Sequence, residues 1–340
     1  MRKDGGMLIP LVAIDYSRPV QLPFELPSQA GTIHSIFRRA VNIAFADTVL
    51  ALLSHNLPRM PNSVRLSAGV MERLAQSLQP GMEVWVGDGR LLIEECDFSL
   101  HLPETAPWEP RPEITAYRWQ REVVAHHVQL LARYLADWPL QDGLAPLVEP
   151  LLVGQTMQER FPATLKAGAS QGACVPTRYE QSVREMALPR LRMLVQASRR
   201  HDITGVEEAA WGLAGLGPGL TPAGDDALAG VAAVMALLGS RLSADARPRD
   251  HIAEIIAGVA QPRTTLLSGV LLTHAARGEV AEHVGELLLA LALPAEASEV
   301  VLFAAERVLA FGATSGGDTL LGVLLGLRAL AGEIDDNLYS

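Results

Sequence analysis

Two hydrophobic textures divide the chain. Through the first part apolar and polar positions tend to alternate, the period-two pattern of a half-buried strand. Ala40–Phe45 and Thr48–Leu53 alternate on either side of Ala46-Asp47, which predicts two strands and a turn, with a helix competing over Thr32–His55. Val64–Leu66 reads as a short strand, and Ala68–Leu78 as a helix stopped by Pro80-Gly81. Met82–Val86 and Arg90–Glu95 form the clearest hairpin, turning at Gly87-Asp88-Gly89. Ahead of them, prolines at 10, 19, 23 and 27 exclude a long helix and favour an extended lead-in over Met1–Ala30.

Pro103, Pro107, Pro110 and Pro112 then crowd a connector, beyond which the apolar spacing changes to three and four residues. Tyr117–Trp138 is the first such helix. Gly143–Thr177 is broken by Gly and Pro and reads as a candidate mobile segment beside a site, with Arg160, Lys166 and Arg178 as nearby cations. After it, helices are expected at Glu180–Arg199, Val206–Ala214, Pro222–Leu238, His251–Ala260, Thr265–Arg277, Val280–Leu291, Ala297–Phe311 and Asp318–Leu330. The fold class is therefore α+β: a β-rich N-terminal domain, residues 1–112, followed by a mainly α-helical C-terminal domain, residues 113–340.

One stretch of the helical part carries chemistry. GLGPGLTPAGDDALAG, residues 215–230, runs a glycine loop straight into an apolar helix. Gly215, Gly217 and Gly219 permit positive φ, Thr221 is a candidate N-cap and Pro222 suits the first helical position. Free backbone N–H groups and the positive end of a helix dipole meet there, an arrangement that attracts anions. Asp225 and Asp226 fall in the first turn, where carboxylates favour the dipole and can orient an amide, take part in proton transfer or hold a cation. The bland reading is that these glycines only let helices pack closely.

An internal echo sharpens the picture. Gly312, Thr314, Gly317, Asp318 and Leu321 repeat Gly219, Thr221, Gly224, Asp225 and Leu228 at equal offsets, and only the final glycine, Gly322 against Gly230, slips by one. Two junctions of one design predict two helix N-termini converging on one ligand, with Thr314 and Ser315 closing the site from the far side. A third helix opens at Gln261-Pro262-Arg263-Thr264-Thr265, where Arg263 is a candidate partner for a carboxylate or phosphate and Thr264 a candidate hydroxyl donor.

Composition removes other function classes. Over 340 residues, 49% hydrophobic content is ample for a large core, and a formal net charge of −10 argues against a nucleic-acid surface. The densest basic cluster, Arg190, Arg192, Arg199 and Arg200, reads as a solvated face or interface edge. Cys96 and Cys174 make neither a disulfide framework nor a zinc site, so a reducing cytoplasm is expected. The apolar run Ala227–Gly239 is short for a bilayer span, and no membrane role is expected. The nine histidines include no HExxH, and His274, Glu279, Glu282 and His283 straddle the break at Gly278, so no metal and no cofactor are expected. GxSxG and GxxxxGK[ST] are absent from the sequence.

The segments GLGPGLTPAGDDALAG, RTTLLSGVLLTHAARGE and FGATSGGDTLLGVLLGL, with GTIHSIFRRAVNIAF early on, resemble the AllH family over most of residues 28–330. That resemblance implies a subunit of the bacterial oxamate carbamoyltransferase of anaerobic allantoin and purine breakdown. The assembly phosphorolyses oxalurate to oxamate and carbamoyl phosphate, and its other subunits are related to acyl-CoA-synthetase-like proteins. The resemblance carries no catalytic assignments, so the expected roles rest on the residues. N–H groups from Gly217 to Ala223, with Thr221, would hold the anion; Asp225, Asp226 and Asp318 would orient the amide or move a proton; Arg263 would neutralise a carboxylate. A competing expectation is a non-catalytic assembly subunit whose partners do the chemistry.

Overall fold

The computed structural model describes residues 9–139, 142–153, 177–242 and 249–331. Most of Gly143–Thr177, with Arg160 and Lys166, lies outside the described residues, as does Cys174. The chain separates into two compact units, Met1–Arg111 with Val280–Glu282, and Pro112–Glu279 with His283–Ser340.

The first unit is a curled nine-stranded sheet: β1 (Ile9–Val12), β2 (Asp15–Tyr16), β3 (Gln29–Phe37), β4 (Ala40–Phe45), β5 (Thr48–Ser54), β6 (Ser63–Leu66), β7 (Glu83–Gly87), β8 (Arg90–Ile93) and β9 (Phe98–His101). The strand order is β1-β9-β8-β7-β3-β4-β5-β6-β2. Because β1 pairs with β9 at one edge and β2 with β6 at the other, residues 9–16 serve both edges in one pass. Ala13 N–H donates to His101 O and Ile14 N–H to Arg65 O, both at 2.9 Å, so the crossing itself is hydrogen-bonded and neither edge is left bare. Ile33, Ile43, Leu52, Leu91, Ile93 and Leu100 from the sheet pack with Phe24 and Met71 from two helices. These helices are α1 (Arg18–Glu25) and α2 (Ala68–Ser77).

The strand alternation of 40–53 forms β4 and β5, and the competing helix does not occur. The hairpin turns at Asp88-Gly89, both at positive φ, as a two-residue loop between twisted strands requires. The lead-in differs from its expectation: Pro19 sits at the start of α1 and Pro23 inside it, so prolines limited this helix to eight residues without preventing it. Strand β9 carries no turn signal of its own and is absent from the sequence reading; a short 3₁₀ turn, Glu94–Cys96, and Asp97 at φ 50° redirect the chain into it.

Val280–Glu282 joins this unit as a strap. Val280 N–H donates to Pro110 O at 3.0 Å, Glu282 N–H to Arg59 O at 2.9 Å, and Arg59 pairs with the Glu282 carboxylate. Arg59 and Arg65 share Asp15, and Arg65 does so with two hydrogen bonds. Burial alone would raise the Asp15 pKa, yet the two guanidinium groups hold it below the usual carboxylate range.

Among its described residues the second unit is built of helices and connecting loops, with no β-strand. It contains α3 (Arg121–Ala136), α4 (Arg178–Arg200), α5 (Ile203–Leu213), α6 (Ala223–Leu242), α7 (Asp250–Ala260), α8 (Leu266–Ala276), α9 (Glu282–Ala290, beginning on the strap), α10 (Ser298–Leu309) and α11 (Ser315–Ala331). Helix α6 is apolar on nearly every side because it is buried on nearly every side. Its length and composition would suffice to cross a membrane, but 78% of that apolar window is buried inside the protein.

Helices α6 and α11 run parallel at close range. A Cβ on Gly230 would stand 2.4 Å from Thr319 O, one on Gly322 would stand 2.1 Å from Ala227 O, and one on Gly326 would stand 2.9 Å from Val234 Cβ. The contacts advance together along both helices, so their N-termini lie at the same end. Reciprocal glycines let the backbones touch, the packing role that the bland reading assigned to part of the motif.

Candidate functional site

The two glycine junctions meet. The Thr221 hydroxyl lies 3.0 Å from the Ser315 hydroxyl, which places the start of α6 against the start of α11. Their helix starts share one register at a shift of 92 residues. Asp226 N–H donates to Pro222 O as Asp318 N–H donates to Thr314 O, and Gly224 and Gly316 are each closed onto a preceding carbonyl, Leu216 O and Phe311 O. The sequence echo pairs Asp225 with Asp318, whereas the fold pairs Asp226 with Asp318 and Gly230 with Gly322. The closing carbonyl lies eight residues back in the first loop and five in the second, so the loops differ in length while the helices keep the 92-residue register that Gly230 and Gly322 follow. Thr221 also differs from its expectation, since Pro222 supplies the first helical acceptor and the Thr221 side chain spans to α11 instead.

The loop before α6 offers donors. Among the described residues, no hydrogen bond from the backbone N–H groups of Gly217, Gly219, Leu220, Thr221 or Ala223 to another group of the chain is present. Gly217 adopts φ 118°, and a Cβ there would come within 2.9 Å of Ala223 N, so only glycine keeps that amide accessible. Hydroxyls of the α8 start pin the loop's far side: Thr265 donates to Leu220 O at 2.6 Å while also capping α8.

The three aspartates separate into two roles. Asp225 is fully engaged, accepting from Gly215 N–H at 2.8 Å and from the Thr264 hydroxyl, so it ties the glycine loop to the α8 start. Asp226 and Asp318 are different. Each is buried, and each keeps a carboxyl oxygen, Oδ2, sealed from solvent without a hydrogen-bond partner. The other oxygen of Asp318 accepts from Leu144 N–H at 2.6 Å. Gly143, at φ 68°, makes that approach possible, because a Cβ there would stand 2.6 Å from the carboxylate. Arg184 donates to Gly143 O at 2.9 Å and brings a cation toward Asp318.

Proton affinities follow from this arrangement. Burial raises the Asp318 pKa to about 7, against the lowering effect of Leu144 and Ala145 N–H, the Thr314 hydroxyl and Arg184. Burial, with the Asp318 charge added to it, pushes Asp226 well above the carboxylate range despite the Ser315 and Thr221 hydroxyls beside it. Burial raises Asp225 too, opposed by Thr264, Gly215 and Ser268. At neutral pH the cluster therefore keeps protons and carries less negative charge than three carboxylates would, which leaves the donor loop compatible with an anion.

This makes stability depend on pH. An unfolded Asp318 releases its proton near 3.8 and the folded one near 7, so between those values the folded state binds more protons and stability falls as pH rises. Denaturant midpoints of the helical unit should climb as pH is lowered from 8 to 5.5. Asp318→Asn, which keeps an acceptor for Leu144 N–H, should flatten that slope; an equal slope in the variant would contradict the assignment.

Other predicted residues are placed elsewhere. Arg263 is exposed with its guanidinium 3.8 Å above the Trp211 ring, a cation–π stack, while its carbonyl abuts Gly215. His274 pairs with Glu279 at 2.5 Å, His283 packs on Phe311, and Glu282 belongs to the strap. Among the described residues no three His, Cys, Asp or Glu side chains converge to hold a metal. Sequence reasoning missed Gly143-Leu144-Ala145 and Arg184, which lie far from Asp318 in sequence; the glycine in Asp142-Gly143-Leu144 was the single local signal.

No solved structure matches the chain. The AllH family N-terminal domain matches residues 12–107, and the family described as oxamate carbamoyltransferase subunit AllH matches residues 213–327, a span that holds both glycine junctions. The two matches cover most of the chain, and the protein belongs to the AllH family of carbamoyltransferase subunits.

Proposed function

We propose that the paired starts of α6 and α11 bind the small anionic substrates of an oxamate carbamoyltransferase, and that this chain contributes directly to carbamoyl transfer between oxalurate and phosphate. The observation that carries the reading is the pair of sealed Oδ2 atoms of Asp226 and Asp318, beside unoccupied loop amides, where two helix dipoles end together. A buried polar atom without a partner costs stability, so its retention suits a site that gains a partner from a ligand.

In that reading the amides of Gly217, Gly219 and Thr221 cradle phosphate or carboxylate oxygens. Asp226 and Asp318 accept from the carbamoyl N–H groups when ionised and donate when protonated. A phosphate oxygen forms its bond to the carbamoyl carbon, the bond from that carbon to the oxamate nitrogen breaks, and the departing nitrogen takes a proton. Asp318, with a pKa of about 7, is suited to exchange that proton near neutral pH. Positioning and charge stabilisation carry the step, without a covalent enzyme intermediate. The setting proposed is cytoplasmic allantoin catabolism.

A second reading, a non-catalytic assembly subunit, draws on the glycines. Gly224, Gly230, Gly316 and Gly322 each face backbone at distances that admit no Cβ, so all four serve packing whether or not a ligand binds. Oxalurate phosphorolysis by the purified complex, with this chain present, omitted or carrying Asp318→Asn, separates the two. The proposal expects turnover to need the chain and to fall about 100-fold with the substitution; an assembled complex indifferent to Asp318→Asn would favour the assembly role.

A further inference from the structure

Helix α4 presents an apolar seam to solvent. Tyr179, Ser182, Met186, Pro189, Met193 and Gln196 recur at three- and four-residue spacing and are all exposed, while Val183, Ala187, Leu191 and Leu194 face the core. The exposed side therefore carries Tyr179, Met186, Pro189 and Met193 with Ser182 and Gln196 among them, and its own unit covers only the opposite face. Tyr179 is 56% exposed, Met186 45% and Met193 36%. Trp211 on α5, 55% exposed, extends the surface. Arg190 joins the two, donating to Met186 O at 2.5 Å and lying across Gly212, where a Cβ would meet its Nε at 2.2 Å. Arg263 stacks on the Trp211 ring.

The seam is about 26 Å long at the helical rise, the scale of one side of a stable protein interface. Methionine, tyrosine and tryptophan beside arginine is the composition of an interface centre. The charge around it selects the partner. Helix α4 carries six arginines, one of which, Arg184, turns to Gly143 O and Asp318, which leaves five against two glutamates in a chain of formal net charge −10. A second copy docking by α4 against α4 would set those arginines against each other, which disfavours self-association through this face.

We propose that the α4 seam with Trp211 is the docking surface for a different subunit of the carbamoyltransferase complex, one that offers an apolar helix or strand face flanked by carboxylates. The proposal rests on the chain being a complex subunit, and it is independent of whether the α6–α11 site is catalytic.

The test uses the native assembly, purified through a tag on this chain and weighed by native mass spectrometry. Hydrogen exchange compares α4 in the isolated chain and in the assembly, and Met186→Glu with Met193→Glu is the disrupting variant. Both methionines are exposed, so the isolated variant should keep its circular dichroism and melting temperature. The expected result is a defined hetero-assembly with exchange over 179–196 slowed, subunit affinity at least 100-fold weaker in the variant, and weakening with salt. Val300→Glu with Phe303→Glu, on the exposed face of α10, should leave assembly intact. Assembly unchanged by the α4 variant, unprotected 179–196, disruption only by the α10 variant, or loss of a homodimer alone would each overturn the docking surface. A wild-type chain that joins no other subunit would overturn the subunit reading with it.

Discussion

Asp226→Asn should raise stability and lower ligand affinity at the same time. In the folded protein Asp226 is buried, holds its proton well above the ordinary carboxylate range, and keeps Oδ2 without a partner. At pH 7.5 an unfolded aspartate is ionised, so folding must take up a proton or bury a charge, and the amide removes that cost. Asparagine retains an oxygen for the Thr221 and Ser315 hydroxyls and puts an NH₂ in the place of Oδ2. A protonated Asp226 that keeps its proton on the oxygen beside the Thr221 and Ser315 hydroxyls still offers Oδ2 to a substrate N–H, whereas the amide offers a donor there, a loss of about 1–3 kcal/mol, or roughly tenfold to 100-fold in affinity. Opposite signs are the signature of a site maintained for binding at the expense of the fold. A purely structural aspartate would lose stability, and the ligand would respond only through unfolding.

Gly322→Ala tests the frame that brings the two helix starts together. On propensity alone, alanine in a helix interior should gain about 1 kcal/mol. Here its Cβ would stand 2.1 Å from Ala227 O, against backbone that cannot swing away, so α6 and α11 must separate and the contacts of Gly230 with Thr319 separate with them. The expected net result is a loss of about 3 kcal/mol, read as a melting temperature lower by about 6–12 °C for a unit of this size. Gly258→Ala in α7, where a Cβ would meet nothing within 4 Å, is the matched control and should be neutral or slightly stabilising. Stabilisation by both alanines would mean that the helices are not in backbone contact.

What was legible in the chain follows from what is local. The Asp88-Gly89 hairpin, the strand pair around Ala46 and the apolar helices are written in short-range periodicity and turn chemistry, and the structure contains them. The meeting of the glycine junctions was legible for a different reason: one loop design ahead of two apolar helices implies one environment used twice. Its register was not legible, because alignment by residue type favours Asp225 with Asp318. Only the backbone hydrogen bonds from Asp226 to Pro222 and from Asp318 to Thr314 show that the loop lengths differ.

Long-range pairing stayed hidden. Leu144 N–H on Asp318 is set by packing, and only the glycine at 143 hints at it. The strap at 280–282 reads as an ordinary helix start in sequence, yet Arg59 draws it into the sheet unit. Arg263 likewise acquires a partner that the sequence does not announce. A cation beside a threonine cap suggests an anion ligand, but the nearest strong partner in three dimensions is the face of Trp211. Burial, invisible in sequence, then divides three similar aspartates into one that holds the loop and two that each keep a sealed oxygen without a hydrogen-bond partner.

Calorimetric titration of oxamate into the purified chain at pH 6.5, repeated with Asp226→Asn and Thr221→Val, bears most directly on the paired helix starts as a ligand site. Saturable one-site binding in the wild type, weakened at least tenfold in both variants while their folds persist, is the predicted outcome. No saturable binding, or affinity identical in all three proteins, would contradict it.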